Sequence, residues 1–106
     1  MSIELQGYAQ TLHIMGLVHR ALGNDDKALI CFQETIRRRY SLLGKDHPHL
    51  ASTYYQTSLL YYDRAEYELA FDYIQKSLDI QLIKLPHCHS EPKLSIELLF
   101  KIKQNL

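Results

Sequence analysis

The sequence has no tryptophan, four glycines, three prolines and two cysteines, and its 12 Lys and Arg balance its 12 Asp and Glu. Each shortage excludes something. So few glycines leave no glycine-rich phosphate loop and no Gly-x-Ser-x-Gly turn, so two common catalytic frameworks are missing. Cys31 and Cys88 cannot build a disulfide framework; Cys31 lies inside an apolar helical pattern and reads as a small core residue. That usage fits a reducing, cytoplasmic compartment. A chain without net charge has no electrostatic reason to seek nucleic acid or an anionic membrane surface. No apolar run approaches a membrane span, and residues 1–20 lack the charged start and long apolar core of a secretory leader.

What the chain does have is a repeat. Ala9-Gln10-Thr11-Leu12 lines up with Ala51-Ser52-Thr53-Tyr54, Leu17 with Leu59, Ala28 with Ala70 and Ile36 with Leu78, all 42 residues apart. Hydrophobic residues make up 46% and charged residues 23% of the 106 positions, enough apolar content for one small globular domain and too much for disorder. A helical repeat of this length means stacked helix pairs, which present an extended curved surface.

Helix signals follow one another along the chain. Apolar residues recur at helical spacing from Ala9 to Leu22 (Leu12, Met15, Val18, Leu22), with a start as early as Ile3. Gly23-Asn24-Asp25 breaks this run. A second helix is expected from about Asp26 to Leu43, with Ala28, Leu29, Phe32, Ile36 and Tyr40 on its apolar stripe, and Gly44 stops it. Asp46-His47-Pro48 restarts the chain, with Pro48 placed where a helix has no use for its missing N–H. The third helix spans about Pro48 to Asp63. The fourth runs from about Glu66 to Lys84 with Leu69, Ala70, Tyr73, Ile74, Ser77, Leu78 and Ile80 on its stripe. Leu85 to Ser90 reads as a loop. A fifth helix, Lys93 to about Asn105, carries Leu94, Leu98 and Ile102. Pro92-Lys93-Leu94-Ser95 echoes Pro48-His49-Leu50-Ala51 at an offset of 44. The chain thus divides into repeat 1 at about 9–50, repeat 2 at about 51–92, and the first helix of a third at about 93–106. Gly16 and Ser58 are equivalent small residues, as are Ala28 and Ala70; they let paired helices approach, with Phe32 and Ile74 filling the space beside them.

The set Leu12, Gly16, Ala28, Phe32 in repeat 1 and Tyr54, Ser58, Tyr61, Ala70 in repeat 2 resembles the tetratricopeptide repeat, whose usual unit is shorter, about 34 residues. The longer unit, with Leu43-Gly44-Lys45-Asp46-His47-Pro48-His49-Leu50-Ala51 between repeats, looks like the kinesin light chain subtype. The resemblance implies an all-α fold of antiparallel helix pairs in a right-handed α-solenoid, about five helices in all. It also implies an inner, concave face lined by the first helix of each repeat, where a peptide or partner helix would bind. By repeat position that face would comprise Gln10, His13, Leu17 and Arg20; Ser52, Tyr55, Leu59 and Tyr62; and Ile96, Leu99 and Lys103. Kinesin light chain repeats place an asparagine midway along the first helix. The matching positions here read His13-Ile14 and Tyr55-Gln56, so only Gln56 supplies an amide.

Several residues invite a sharper reading. Tyr54, Tyr55, Tyr61 and Tyr62 crowd one helix at a spacing of seven. Tyr54 and Tyr61 fall at packing positions, whereas Tyr55 and Tyr62 point to the inner face, where tyrosine gives broad amphipathic contact. Either could equally pack against the next repeat. His47 and His49 lie in one inter-repeat loop and His87, Cys88 and His89 in the next; these are zinc-ligand types, but their spacing matches no zinc pattern, and no metal or cofactor is expected. Arg37-Arg38-Arg39 reads as a solvated helix face, and Asp25-Asp26 as acids suited to a helix start. No catalytic constellation emerges, so the chain is read as a non-enzyme.

The expected function is therefore a protein-interaction scaffold that binds a peptide or partner helix on its concave face. The alternative is an assembly segment of a longer array that pairs through its terminal helices, since the apolar last helix, Leu98 to Ile102, makes a poor polar cap and suggests a fragment of a longer repeat protein. A homo-oligomer is compatible with the second reading.

Overall fold

The computed structural model describes residues 3–84 and 90–106. It contains α1 (Ile3–Ala21), α2 (Asp25–Leu43), α3 (Pro48–Asp63), α4 (Tyr67–Lys84) and α5 (Ser90–Lys103), with no strand among the described residues. α1 packs chiefly on α2 and α3 chiefly on α4. α2 joins the two pairs through α3, and α5 closes the row against α4. The architecture is the expected helical repeat, and α1 takes the earlier of its two possible starts. α5 begins at Ser90, three residues before the expected Lys93. Residues 85–89 of the expected loop lie outside the described residues.

The two turns inside the pairs are copies of one another. Gly23 ends α1 in the left-handed region (φ 81°), and the Asn24 N–H donates back to the His19 carbonyl at 2.8 Å. Ala65, 42 residues on, takes the same conformation (φ 61°), and the Glu66 N–H donates to the Tyr61 carbonyl at 2.9 Å. This back-bonded left-handed closure satisfies carbonyls the helix end would otherwise leave unpaired. It also explains why α4 starts at Tyr67 rather than Glu66. At the pair-to-pair junction Gly44 (φ 92°) ends α2 with its N–H on the Tyr40 carbonyl. His47 then caps α3: its Nδ1 accepts from the His49 N–H at 3.0 Å, with Pro48 in the first turn as expected.

The core lies along the pair interfaces. Phe32, Ala28 and Leu60 form one cluster, Leu50, Ala51, Tyr54 and Ile80 another, and Tyr61, Ala70, Ile74, Leu98 and Ile102 a third. Gly16 faces the Phe32 ring so closely that a Cβ there would lie 2.5 Å from Phe32 Cε1. Its counterpart Ser58 donates from Oγ to the Ala70 carbonyl at 2.6 Å, and Ser77 does the same to the Ala51 carbonyl at 2.9 Å. Small residues thus bring the helices together, in repeat 1 by absence of a side chain and in repeat 2 by a hydrogen bond. Tyr54 and Tyr61 are buried as expected, with the Tyr61 and Tyr73 rings stacked 5.6 Å apart. Cys31 is buried.

The expected stripes of four helices drift partly out of the core. Met15 and Val18 of α1, Leu22 just beyond it, Tyr40 of α2 and Leu94 of α5 are all exposed, as is Leu69 of α4. Steps of three lag the helical repeat by about 60° each and steps of four overshoot by about 40°, so a series of like steps rotates off the buried face. α1 instead buries Ala9, Leu12, His13 and Gly16, and α2 buries Ala28, Cys31, Phe32, Thr35 and Arg39. The last of these corrects the reading of Arg37-Arg38-Arg39 as a solvated face. Arg37 and Arg38 pair with Glu34 near the surface, whereas Arg39 is 4% exposed.

Candidate functional site

Arg39 reaches from α2 into the junction with α1 and α3. It donates to three neutral acceptors: the His49 carbonyl at 2.8 Å and the Thr53 hydroxyl at 2.8 Å through Nη1, and the Gln10 side-chain oxygen at 2.6 Å through Nη2. The His13 Nδ1 sits 3.1 Å from the same Thr53 hydroxyl, with its ring tilted against Phe32. Burial pushes His13 down to about 4, and the positive charges of Arg39 and then His49 act in the same direction. His13 is therefore neutral at physiological pH. The cluster borders two adjoining cavities. One, of about 400 Å³, is lined by Gly7, Ala9, Gln10, Arg39, Leu42, Leu43, His47 and His49. The other, of about 290 Å³, is lined by Gln10, His13, Arg39, Pro48, His49 and Ser52.

The second repeat has its own version of that second cavity. Ser52, Tyr55, Gln56, Gln81 and Leu94 line a space of about 130 Å³. Ser52, Tyr55 and Gln81 stand 42 residues after Gln10, His13 and Arg39. Ser52 borders both. Gln81 is as deeply buried as Arg39, and its side-chain oxygen, like that of Gln56, is buried with no hydrogen-bond partner among the described residues. A buried acceptor left unmatched costs about 1–3 kcal/mol, so this cavity offers polar groups that a donor would satisfy.

The residues expected on the inner face thus fall into distinct settings. Gln10, His13 and Ser52 meet at the 290 Å³ cavity, though His13 is itself buried; Ser52, Tyr55 and Gln56 meet at the 130 Å³ one. Tyr55, Leu59, Tyr62 and Leu99 are half-buried against the cluster of Tyr61, Ile74 and Leu98, and Tyr62 meets the Tyr67 ring edge-on at 5.7 Å. Burial pushes the Tyr55 hydroxyl up, opposed by Arg20 and assisted by Glu97. Leu17 packs beside Phe32 and Leu60. Arg20 is committed to an ion pair with Asp63 at 3.0 Å. Ile96 and Lys103 are exposed on α5. Sequence reasoning missed Arg39, Thr53 and Gln81. The signal was present: 28, 32, 35 and 39 alternate steps of four and three, which keeps Arg39 on the buried face, and Gln81 repeats that position.

The His47 and His49 rings lie tilted against one another with centres 4.8 Å apart, and His47 is occupied in capping α3. Among the described residues no group of three or more His, Cys, Asp or Glu is placed to hold a metal ion; His87, Cys88 and His89 lie outside them. Among the described residues no helix is long and apolar enough to cross a membrane. A family model described as tetratricopeptide repeat matches residues 7–82. Comparison with curated proteins gave no match.

Proposed function

The chain belongs to the tetratricopeptide repeat family, a family of non-catalytic repeats that mediate protein–protein interaction, and on that premise we propose that it binds a peptide or partner helix along the face formed by α1, α3 and α5. The observation that supports this reading is the pair of repeat-related cavities, one lined by Gln10, His13 and Ser52 and the next by Ser52, Tyr55 and Gln56, which share Ser52 as a common wall. Beside them Tyr55, Leu59, Tyr62 and Leu99 supply half-buried apolar and aromatic surface, the composition of binding hot spots. Leu17 and Arg20 extend the face at one end and Lys103 at the other. We assign the repeats to the kinesin light chain-like subtype on the long unit and the Gly44 to Leu50 junction, divide the domain at about residues 50 and 92, and place the protein in the cytoplasm.

The test is a displayed-peptide selection against the domain, counter-selected with a Tyr55→Ala, Tyr62→Ala double variant shown to be helical by circular dichroism. A sequence motif enriched on the parent and lost on the variant is the expected result. A folded double variant that keeps full affinity for the enriched peptides overturns the reading.

A second reading has its own observation. Ile14, Met15 and Val18 on α1 and Leu22 just after it are exposed at one end of the row, and Ile96, Phe100 and Leu106 at the other. We propose as the alternative that these ends pair with further repeats or with another copy, as helical arrays need covered or polar termini. Sedimentation velocity reads this directly: a monomer at high concentration removes self-association.

A further inference from the structure

We propose that the small cavity between α3, α4 and α5 is an ammonium subsite that takes the side chain of one lysine of a protein ligand lying in the groove. The proposal rests on the groove reading above and adds to it the chemistry of one contact. It starts from a difference between the repeats. In the first, Arg39 donates to the Gln10 side-chain oxygen, the Thr53 hydroxyl and the His49 carbonyl, so that junction carries its own cation. The packing keeps the offset of 42 into α5: Ala28, Phe32 and Leu60 cluster in one repeat, and Ala70, Ile74 and Ile102 in the next. The second junction therefore has Ser52, Ser95 and Gln81 where the first has Gln10, Thr53 and Arg39. It keeps polar oxygens but not the cation. Ser95 and Gln81 are 0% and 2% exposed. Among the described residues Ser95 Oγ, Gln81 Oε1 and Gln56 Oε1 are all buried with no hydrogen-bond partner.

Bare oxygens select their occupant. A carboxylate would bring only further acceptors, and a backbone N–H or a hydroxyl brings one donor. A lysine ammonium brings three donors and needs no acceptor. Hydrogen bonds from a charged donor are about twice as strong as neutral ones, which offsets taking the charge out of water. The cavity is about 130 Å³, against about 290 Å³ for its counterpart in the first repeat, a size that suits the compact ammonium head better than a broad guanidinium. The charges nearby agree. Burial raises the pKa of the Tyr55 hydroxyl on the cavity wall, Arg20 opposes the rise and Glu97 adds to it. The Arg20 charge is matched by Asp63 at 3.0 Å, whereas Glu97, exposed on α5, enters no ion pair among the described residues. Arg39 lines the two cavities of the first junction and not this one.

The experiment titrates the protein with N-acetyl-lysine α-amide, which carries one ammonium and no terminal charge. Its Nε-acetylated form is the neutral match and N-acetyl-arginine α-amide the rival cation, all at constant ionic strength. Nuclear magnetic resonance follows the side-chain amide groups of Gln56 and Gln81. The expected result is a saturable shift of both in the millimolar range, at least about tenfold weaker for the other two probes, the worth of one charge-assisted hydrogen bond. It is lost in Gln81→Leu, which removes an unmatched buried acceptor and so leaves the thermal midpoint unchanged or higher. It is lost too in Gln81→Arg, where the side chain itself supplies the cation as Arg39 does in the first repeat. Glu97→Gln weakens it, more at low salt than at high. A response equal in Gln81→Leu, equal for the acetylated or the arginine probe, or centred on surface carboxylates such as Glu34 overturns the proposal. The lysine and acetyl-lysine probes compared on the parent protein guard against variants that fail to fold. Peptides selected for the groove with no lysine at this place remove the subsite and leave the groove; a saturable lysine probe with no selectable peptide removes the groove reading instead.

Discussion

At Gly16 one hydrogen atom separates α1 from the fully buried Phe32 ring. Replacing it with alanine sets two effects against each other. Alanine improves helix propensity by about 1 kcal/mol, but its Cβ would lie 2.5 and 2.7 Å from two ring atoms that have no room to retreat, and overpacking costs about 1–3 kcal/mol. Gly16→Ala is expected to lower stability by about 1 kcal/mol in urea unfolding, although the same change on an open helix face would raise it. His13 makes the second argument at this scale. Its folded pKa of about 4 lies below the ordinary 6.5, first through burial and then through Arg39 and His49. Between those values the unfolded chain binds a proton that the folded chain refuses, so stability falls as pH drops from about 6.5 to about 4, with a total loss approaching about 3 kcal/mol. Unfolding free energies measured across that window should show a slope that flattens in His13→Gln.

Among elements, the two intra-pair turns set up a direct comparison. Each places one residue in the left-handed region, Gly23 in the first and Ala65 in the second, and a Cβ there is unfavourable by about 1–2 kcal/mol, partly offset by the greater freedom glycine has when unfolded. Ala65→Gly should therefore stabilise the domain by about 0.5–1 kcal/mol, and Gly23→Ala should destabilise it by about 1 kcal/mol, both read as shifts in thermal midpoint. The contrast shows what the sequence could convey. Gly23, Gly44 and His47-Pro48 announced their turns because each solves a backbone problem with a recognisable residue, whereas Ala65, at the place of Gly23 in the second repeat, announces nothing by itself. Helix faces were less legible. Leu12, Phe32 and Ile74 read correctly, but Met15, Val18 and Leu22 are hydrophobic residues on the face α1 leaves open, and hydrophobicity alone cannot tell a core from an uncovered end. Arg39 failed for the reverse reason: two surface arginines before it made a charge run, and only its spacing from Phe32 and Thr35 betrayed the buried position. The expected inner-face residues came from repeat position, which carried Gln10, Ser52 and Tyr55 to the cavities but did not show that His13 would be buried or Arg20 already paired.

As a whole the molecule is a slab, 42 × 34 × 19 Å, with a radius of gyration of 13.3 Å. Its thin dimension is two helix diameters, as expected for a single row of pairs. Helices touch mainly their neighbours in the row, so stability is built from pair and junction terms, and the outer faces of α1 and α5 contribute little to it. Val18→Glu and Phe100→Glu, both at exposed positions, should accordingly leave the thermal midpoint within a degree or two. If the assembly reading holds, either change should also reduce the association seen in sedimentation.

The shared wall at Ser52 has a further consequence. Cavities that are near copies of one another invite frame-shifting: a ligand could settle one repeat to either side and make much the same contacts. The exchange of Arg39 for Gln81 at the corresponding depth breaks that degeneracy. One charge-assisted hydrogen bond gained or lost is worth about 1.5–3 kcal/mol, roughly a tenfold to hundredfold preference between two alignments. If the proposed binding face is right, a ligand that satisfies Arg39 would be held in one register by a single side chain in an otherwise repetitive track.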